Sequence, residues 1–502
     1  MLAWIVSSML LGAVAPAETT LVVNAVVVDG TGTPGRRASV RIADGRILAV
    51  GTLTRSPGDR VVDARGLVLA PGFIDTHAHY DDSLFTRPDA LPPVSQGVTT
   101  VVVGQDGDHP HTLGDFLRQL DREPAAVNVA AYAGHGTIRR LVLGDDFRRA
   151  ASAAEVDSMG KLLAADLAAG ALGLSTGLEY DPGIYSAPDE VLALARKAAA
   201  ARGRYISHMR SEDRKFYSAV SELITIGREA QLPVQISHAK LAMRSLWGSA
   251  PKLLERLDSA RKLGVDVTLD VYPYTYWQST ITVLFPGRNF SDSSEADLVL
   301  KEVAAADGIR FTDGPDQSLI GRSIAELARD AGEPPVLTLL RLAQRGDSIE
   351  RATGGTRYLG IIGTSMAEAD IETLLKWPHA NVCSDGASGG GHPRGYGAFA
   401  RVLGRYVRER KVLTLEAAVR KMTSLSAAHM GFSDRGTIAA GQRADLVLFD
   451  PKLVADRSTP ANPTATAVGI ARVWTNGVEV YRDGRPTGAR PGKVLRRGRA
   501  AR

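Results

Sequence analysis

The chain has 502 residues, of which 44% are hydrophobic and 23% charged, a composition typical of a globular protein large enough for more than one domain. Its formal net charge of +5 does not indicate nucleic-acid binding, because a basic C-terminal segment, residues 489–502, accounts for the excess. The single cysteine, Cys383, excludes an intramolecular disulfide and a metal site built from thiolates.

Residues 1–17 have the pattern of a secretory signal peptide. Residues 2–15 are apolar apart from two serines, and Ala15-Pro16-Ala17 has the small-x-small form of a cleavage site. The segment is too short for a membrane span, and no later run resembles one. We therefore predict an exported, periplasmic or secreted protein without stable membrane insertion, or a cytoplasmic one if this segment is not a signal peptide.

Short strand-like runs separated by Gly-rich turns occupy residues 18–70, and the same pattern of short runs and turns occurs in residues 434–488. Neither segment alone holds enough strands to bury a core. Together they predict one small β-sandwich, formed from both chain ends, beside a domain that spans residues 71–433. The basic segment that follows is predicted to be a solvated, mobile tail.

The segment GFIDTHAHYD places His77 and His79 two residues apart at the end of an apolar run. On a β-strand these side chains share a face, so both imidazoles can reach one metal ion. Four further ligand-type residues each follow a strand-like run: Asp106 after VTTVVVGQ, His208 after RYIS, His238 after PVQIS and Asp385 after ANVCS. Since parallel strands end on one face, these residues predict a metal site there.

Between these runs, residues 188–203, 216–233 and 249–264 have the apolar spacing of helices. Strand and helix alternate at intervals of roughly thirty residues, which favours a parallel sheet covered by helices. The predicted fold is a (β/α)8 TIM barrel over residues 71–433. From residue 286 to residue 350 no barrel strand is evident, and we predict an inserted lid over the site.

The ordered motifs resemble the amidohydrolase superfamily and, within it, the N-acyl-D-amino-acid deacylases (D-aminoacylases). The resemblance rests on GFIDTHAHYD, GLEYDPG, ISHMRSE, ISHAK, DVYPYT, CSDG and HPRGYG, and it spans almost the whole mature chain. It implies that four histidines bind metal and that Asp385 is catalytic. The histidines are His77, His79, His208 and His238. The positions that match substrate-holding residues are Tyr180, Lys240, Tyr272, Ser279 and Arg394.

The chain departs from that family at Asp106, where the family usually has cysteine. A carboxylate at this position could bridge two metal ions, and imidazole ligands favour Zn²⁺. We therefore predict one or two Zn²⁺ ions, with Asp106 among the ligands. The number and identity of the ions stay open at this point.

The resemblance implies hydrolysis of the amide bond of an N-acyl-D-amino acid to a carboxylate and a D-amino acid. Zn²⁺ would activate water and polarise the carbonyl, while Asp385 would accept the proton of the water and pass it to the amine. Arg394 offers a planar guanidinium for the carboxylate of the substrate. Tyr180 and Tyr272 either bond to the substrate or simply pack.

Two other functions remain open from the sequence. The first is a dipeptidase or cyclic-amide hydrolase of the same superfamily. The second is a catalytically silent binding protein, against which the presence of Asp385 with four histidines argues strongly. The predicted partner is a small N-acyl amino acid. The D configuration rests on the resemblance alone, and neither the side chain, the acyl group nor the oligomeric state is predicted.

Overall fold

The computed structural model of the chain describes residues 19–498. The predicted signal peptide lies outside the described residues, so export stays a prediction. Within the described part, no helix combines the length and apolar character needed to cross a bilayer.

Five short strands begin the chain and form part of a sheet beside the barrel. They are β1 (Thr19–Val27), β2 (Arg36–Ala43), β3 (Arg46–Gly51), β4 (Asp59–Asp63) and β5 (Val68–Pro71). β1 pairs with β2 along one edge and with β4 and then β5 along the other.

Eight parallel strands then form a barrel, as the alternating pattern predicts. They are β6 (Phe73–Asp75), β8 (Val98–Val103), β9 (Asn128–Ala131) with its continuation β10 (Ala133–Gly134), β11 (Gly173–Gly177), β12 (Arg204–His208), β13 (Val234–Ile236), β14 (Val267–Val271) and β18 (Ala380–Val382). Pairing runs β6–β8–β9 and then β10–β11–β12–β13–β14–β18. A short parallel pair, β7 (Ala78–His79) with β19 (Gly386–Ala387), brings the first and last strands together.

Helices cover the barrel, three of them in the segments where the apolar spacing predicts them. The helices before the insertion are α1 (Leu91–Val94), α2 (Leu113–Arg122), α3 (His135–Leu143), α4 (Ala153–Ala169), α5 (Pro188–Ala200), α6 (Phe216–Ala230) and α7 (Ala250–Lys262). Those after it are α11 (Glu368–Lys376), α12 (Arg394–Arg401), α13 (Leu415–Met422) and α14 (Ser424–Met430).

The insertion is a small folded unit that extends beyond the predicted bounds of 286–350. Its sheet consists of β15 (Tyr276–Thr280), β16 (Ile309–Asp313) and β17 (Gly360–Thr364), and its helices are α8 (Ser293–Leu298), α9 (Ile324–Ala331) and α10 (Pro335–Ala352). The unit has its own apolar core. The sequence pattern attaches Tyr276 to the preceding barrel strand, but β15 pairs instead with β17, which lies far along the chain.

Within the described residues, the two chain ends join in one continuous sheet of nine strands, which has a core of its own. The sandwich form of this domain stays a prediction. The C-terminal strands are β20 (Leu446–Phe449), β21 (Ile470–Thr475), β22 (Val478–Arg482) and β23 (Arg485–Pro486). β20 pairs with β5 and so makes the row of strands continuous. Alternate residues of β20 face two cores: Leu446 and Leu448 lie in the core of the sheet, and Val447 and Phe449 in the core of the barrel.

As far as residue 498, the basic C-terminal segment is packed rather than solvated, contrary to the prediction from its composition. Val494 and Leu495 are buried, and Leu495 N donates to the carbonyl of Val129. The guanidinium of Arg497 donates to the carbonyls of Leu167 and Ala171 at the C-terminal end of α4. A cation is favourable at this end of a helix, and its bonds satisfy carbonyls that the helix leaves free.

A buried ion pair fixes the sheet to the barrel. Asp445, just before β20, accepts a hydrogen bond of 2.5 Å from Arg435, and both residues are 4% exposed. Asp445 also accepts bonds from the Asn128 side chain at 3.2 Å and from the Asn476 backbone at 2.7 Å. One carboxylate thus joins the barrel, through Asn128 in β9, to two parts of the sheet domain.

We expect Asp445→Asn to lower the free energy of unfolding by about 1.5 to 3 kcal/mol, because it removes a buried charge-assisted bond and leaves Arg435 only its ion pair with Asp434. Urea unfolding followed by circular dichroism would measure the loss. The control is Asp157→Asn, which removes one partner of the exposed pair with Lys161 and should cost at most about 1 kcal/mol. Equal unfolding midpoints for the two variants would contradict the role of Asp445.

Candidate metal centre and substrate cleft

Six side chains from different strands converge at the carboxyl end of the barrel: His77, His79, Asp106, His208, His238 and Asp385. At their centre lies the carboxylate of Asp106. Its Oδ2 is 3.4 Å from His77 Nε2, 3.5 Å from His79 Nε2 and 3.3 Å from His238 Nε2. His208 joins the group through a distance of 3.1 Å between its Nδ1 and His238 Nε2. The structure therefore brings together all the residues predicted as ligands and the predicted catalytic aspartate.

The backbone turns sharply where three of these side chains leave their strands. Asp106, His238 and Asp385 have φ angles of 52°, 33° and 50°, in the left-handed region that residues other than glycine rarely adopt. Such conformations cost free energy and persist only where the surroundings hold them. Here they direct the side chains towards the axis of the barrel.

Unsatisfied polar atoms indicate that this cluster fits a metal ion. His77 is fully buried, yet neither of its ring nitrogens has a hydrogen-bond partner, and Asp106 Oδ1 has none either. Buried polar groups are normally bonded, so these atoms need a ligand. Two sets of donor atoms share Asp106, and within each set the atoms lie within 4.8 Å of one another. They are His77, His79, Asp106 and Asp385, and Asp106, His208 and His238. Imidazole with carboxylate is a donor set that suits zinc.

Two buried glutamates support the ligand histidines from behind. Glu179 Oε2 lies 2.9 Å from His208 Nε2, and Glu212 Oε1 lies 3.1 Å from His238 Nδ1. In both histidines the other nitrogen faces the metal cluster. A carboxylate behind a ligand imidazole fixes its tautomer and ring orientation. Neither glutamate was predicted as a site residue, although Glu179 lies in GLEY and Glu212 in SHMRSE.

Lys240 is occupied by this network and does not face the cleft as a free cation. Its Nζ lies 2.8 Å and 2.7 Å from the two carboxylate oxygens of Glu212 and 2.6 Å from His238 Nδ1. Burial alone would raise the pKa of Glu212, but the positive charges of His208 and Lys240 lower it to about 2. Lys240 therefore forms an ion pair with Glu212 at the wall of the cleft. Its contact with the substrate stays a prediction.

Two more buried carboxylates hold the loops that carry site residues. Asp75, at the end of β6, accepts a bond of 2.9 Å from the backbone N–H of Ser384, next to Asp385. Burial raises the pKa of Asp75 to about 7. Asp270, in β14, accepts a bond of 2.5 Å from the backbone N–H of His238. Neither was predicted, because an aspartate inside a strand carries no sign of which loop it will meet.

Asp385 links the metal cluster to Arg394. Its Oδ1 lies 3.2 Å from His79 Nε2, and its Oδ2 forms an ion pair with Arg394 Nη1 at 2.7 Å. Burial favours the neutral acid, but the charges of Arg394 and His238 outweigh it and hold the pKa of Asp385 well below its usual range. The carboxylate is therefore ionised at neutral pH.

Arg394 and Tyr272 present unused donors beside this carboxylate. The guanidinium lies over the Tyr272 ring, 4.9 Å from its centroid. Arg394 Nε and the Tyr272 hydroxyl are both buried without a partner. A small anion held here would satisfy both groups, and a guanidinium matches a carboxylate in shape.

The remaining two predicted residues lie on the other side of the cluster. The Tyr180 hydroxyl lies 3.1 Å from His208 Nδ1. Ser279 belongs to β15 of the insertion and lines the same cavity as Tyr180 and His208. The barrel and the insertion therefore both contribute walls to the cleft.

Comparison with known proteins agrees with this architecture. The sequence model of the amidohydrolase family matches residues 60–306 and 294–485. The N-acyl-D-glutamate deacylase of Alcaligenes xylosoxydans xylosoxydans is 38% identical over 496 residues, which cover 94% of this chain and 95% of the relative. The D-aminoacylase of the same organism is 36% identical over 505 residues, covering 95% and 97%.

A solved structure gives the same result in three dimensions. The N-acyl-D-glutamate deacylase from Bordetella bronchiseptica, complexed with zinc and a phosphonate inhibitor, matches with a TM-score of 0.83 and 36% identity, covering 95% of this chain and 99% of its own. The resemblance in the motifs is thus confirmed over nearly the whole length, and the chain belongs to the amidohydrolase family.

Proposed function

We propose that the protein hydrolyses the amide bond of N-acyl-D-amino acids, releasing a carboxylate and a D-amino acid. The observation that carries the proposal is the position of Asp385. One of its oxygens faces the histidine cluster, and the other is bound to an arginine with unused donors. The D configuration is supported by the relatives named D-aminoacylase and N-acyl-D-glutamate deacylase.

The ion that we propose is Zn²⁺, bound as one or two ions, and the zinc in the structure of the Bordetella relative supports this choice. The residues that would hold it are His77, His79, Asp106, His208 and His238. Bound zinc supplies Lewis acidity and lowers the pKa of water towards neutrality.

Each side chain at the site has a separate role in the proposed reaction. Asp385 accepts a proton from the attacking water and returns it to the leaving nitrogen. Arg394 and Tyr272 hold the carboxylate of the substrate, which fixes the amide relative to Asp385. Tyr180 lies beside His208, where its hydroxyl can donate to the carbonyl oxygen.

A substrate panel tests the proposed function directly. It pairs N-acetyl-D- and N-acetyl-L-amino acids and adds dipeptides and hydantoins, with zinc content measured on the same protein. Turnover of the D-acyl amino acids in preference to the rest supports the proposal. Preference for dipeptides or hydantoins would assign the alternative hydrolase, and no turnover by the zinc-loaded protein would favour the binding protein.

Asp385→Asn should lower kcat about 10²- to 10⁴-fold, because the amide cannot accept the proton of the water. The variant should keep at least the more tightly bound zinc and the circular dichroism spectrum of the parent protein, since the histidines and Asp106 remain. Near-normal kcat in a folded, zinc-loaded variant would remove Asp385 from the mechanism.

Arg394→Ala should raise KM for N-acetyl-D-leucine about 10- to 100-fold, through loss of a charge-assisted bond worth about 1.5 to 3 kcal/mol. N-isopentylacetamide, the same molecule without its carboxylate, should show almost no change in KM. Arg401→Ala is the control, because Arg401 lies on the same helix but pairs with Asp456. Equal losses on both substrates would mean that Arg394 only supports its loop.

Asp106→Ala should lose zinc and activity together, because Asp106 is the carboxylate between the two donor sets. Asp106→Cys should keep zinc and part of the activity, since thiolate also binds zinc. Asp106→Asn is the backbone control, because asparagine tolerates the left-handed conformation as aspartate does. Zinc would be measured by atomic emission after dialysis. Full zinc content in Asp106→Ala would show that Asp106 is not a ligand.

We also propose that the insertion acts as a lid over the bound substrate. Support comes from Ser279 in the cleft wall and from a contact of 2.8 Å between His392 Nε2 and the Tyr276 carbonyl, which joins β15 to the loop of Arg394. Hydrogen exchange on Asp385→Asn protein, which cannot turn substrate over, should show protection of residues 276–364 rising with N-acetyl-D-leucine. Unchanged protection of this segment while the barrel responds would contradict a lid.

A further inference from the structure

A cavity that opens to solvent lies between the barrel and the insertion, beside His208 and Tyr180. On one side its wall is mainly apolar. The residues that make it so are Ala242, Trp277, Val283, Leu284 and Val303. Four of these five belong to the insertion. A mainly apolar wall with a few polar groups beside it is typical of a site for part of a small ligand.

This cavity lies away from the carboxylate site that we propose at Arg394. Neither Arg394 nor Tyr272 lines it, whereas His208 and Tyr180 do. If the substrate carboxylate binds Arg394 and the amide lies at the histidines, one of the two remaining groups of the substrate can extend past His208 into the cavity. That arm of the substrate is either the amino-acid side chain or the acyl chain.

Each charged group at the cavity wall already has a partner. Lys240 is paired with Glu212, and Glu179 with His208. Asp213 is paired with Arg214, which also contacts Glu295 at 2.7 Å.

Arg288, a nearby cation of the insertion, is held by Asp181 at 3.0 Å. Lys240, Arg214 and Arg288 are thus all ion-paired, and the wall itself carries three carboxylates. An acidic arm would lose its hydration without gaining an ion pair.

We propose that this cavity binds an uncharged, apolar arm of the substrate and excludes an acidic one. The inference rests on the proposed function and narrows its substrate class. It separates this chain from the relatives named for N-acyl-D-glutamate. Each methylene buried in the cavity should raise kcat/KM about fourfold.

Two substrate series test the proposal and identify the arm. The first lengthens the side chain: the N-acetyl derivatives of D-alanine, D-norvaline and D-norleucine, with D-glutamine and D-glutamate as neutral and anionic members. The second lengthens the acyl chain on D-alanine: acetyl, butanoyl and hexanoyl, with succinyl as the anionic member. We expect kcat/KM to rise at least about tenfold along one series, and its anionic member to be at least about tenfold poorer than the longest apolar one.

The series that responds assigns the cavity to the side chain or to the acyl chain. A flat response in both would overturn the inference, as would an anionic member that matches the apolar one in the responding series. Turnover of no member at all would refute the proposed function itself, and this inference with it.

A cation placed in the wall supplies the matched test. Val283 is half-buried in the cavity wall. Val283→Lys should raise kcat/KM for the anionic member, relative to kcat/KM for the longest apolar member, at least about tenfold. Leu337→Lys makes the same change on α10 of the insertion, at a residue that is 50% exposed and outside the cavity, and should leave the ratio unchanged. If Val283→Lys does not fold, Val283→Ala should still reduce the gain per methylene. An unchanged selectivity in a folded Val283 variant would contradict the proposal.

Discussion

The site depends on the closure of the barrel. The backbone N–H of Asp385 donates to the carbonyl of His77 at 2.8 Å, next to the short parallel pair of β7 and β19. This contact joins the first barrel strand to the last, and it sets the Asp385 carboxylate beside His77 and His79. Asp75 reinforces the same seam through its bond from Ser384. Residues from opposite ends of the barrel sequence therefore become neighbours because the strands close into a ring.

Near this seam, charged side chains are paired with groups of opposite charge. Some buried polar atoms have no such partner. Glu179 faces His208, Glu212 faces Lys240 and His238, and Asp385 faces Arg394. The unsatisfied buried atoms include those that a metal ion or a substrate would use: the His77 nitrogens, Asp106 Oδ1, Arg394 Nε and the Tyr272 hydroxyl. A buried polar atom without a protein partner is costly, so such atoms at this site fit a bound metal ion or substrate.

Local patterns predicted the alternation of strands and helices and the convergence of six side chains at one end of the barrel. These side chains lie at or near the ends of β-branched or apolar runs, and three of the helices carry their own apolar spacing. Features that depend on distant pairing were not predictable in this way. The limits of the insertion follow from the pairing of β15 with β17, and the single sheet from the pairing of β20 with β5. Glu179 and Glu212 were missed for a similar reason, because only the folded chain shows which histidine each one supports.

The position of β20 has a consequence for the way this protein is made. β5 is an interior strand of the sheet, with β1 on one side and β20 on the other. During synthesis the ribosome releases β5 early, and its second edge stays open until residues 446–449 emerge. An open strand edge can pair with other chains, and buried apolar faces such as that of Val68 and Ala70 are uncovered with it. The sheet therefore cannot be completed until late in translation, and a nascent chain of this protein carries an unpaired strand edge for most of its synthesis.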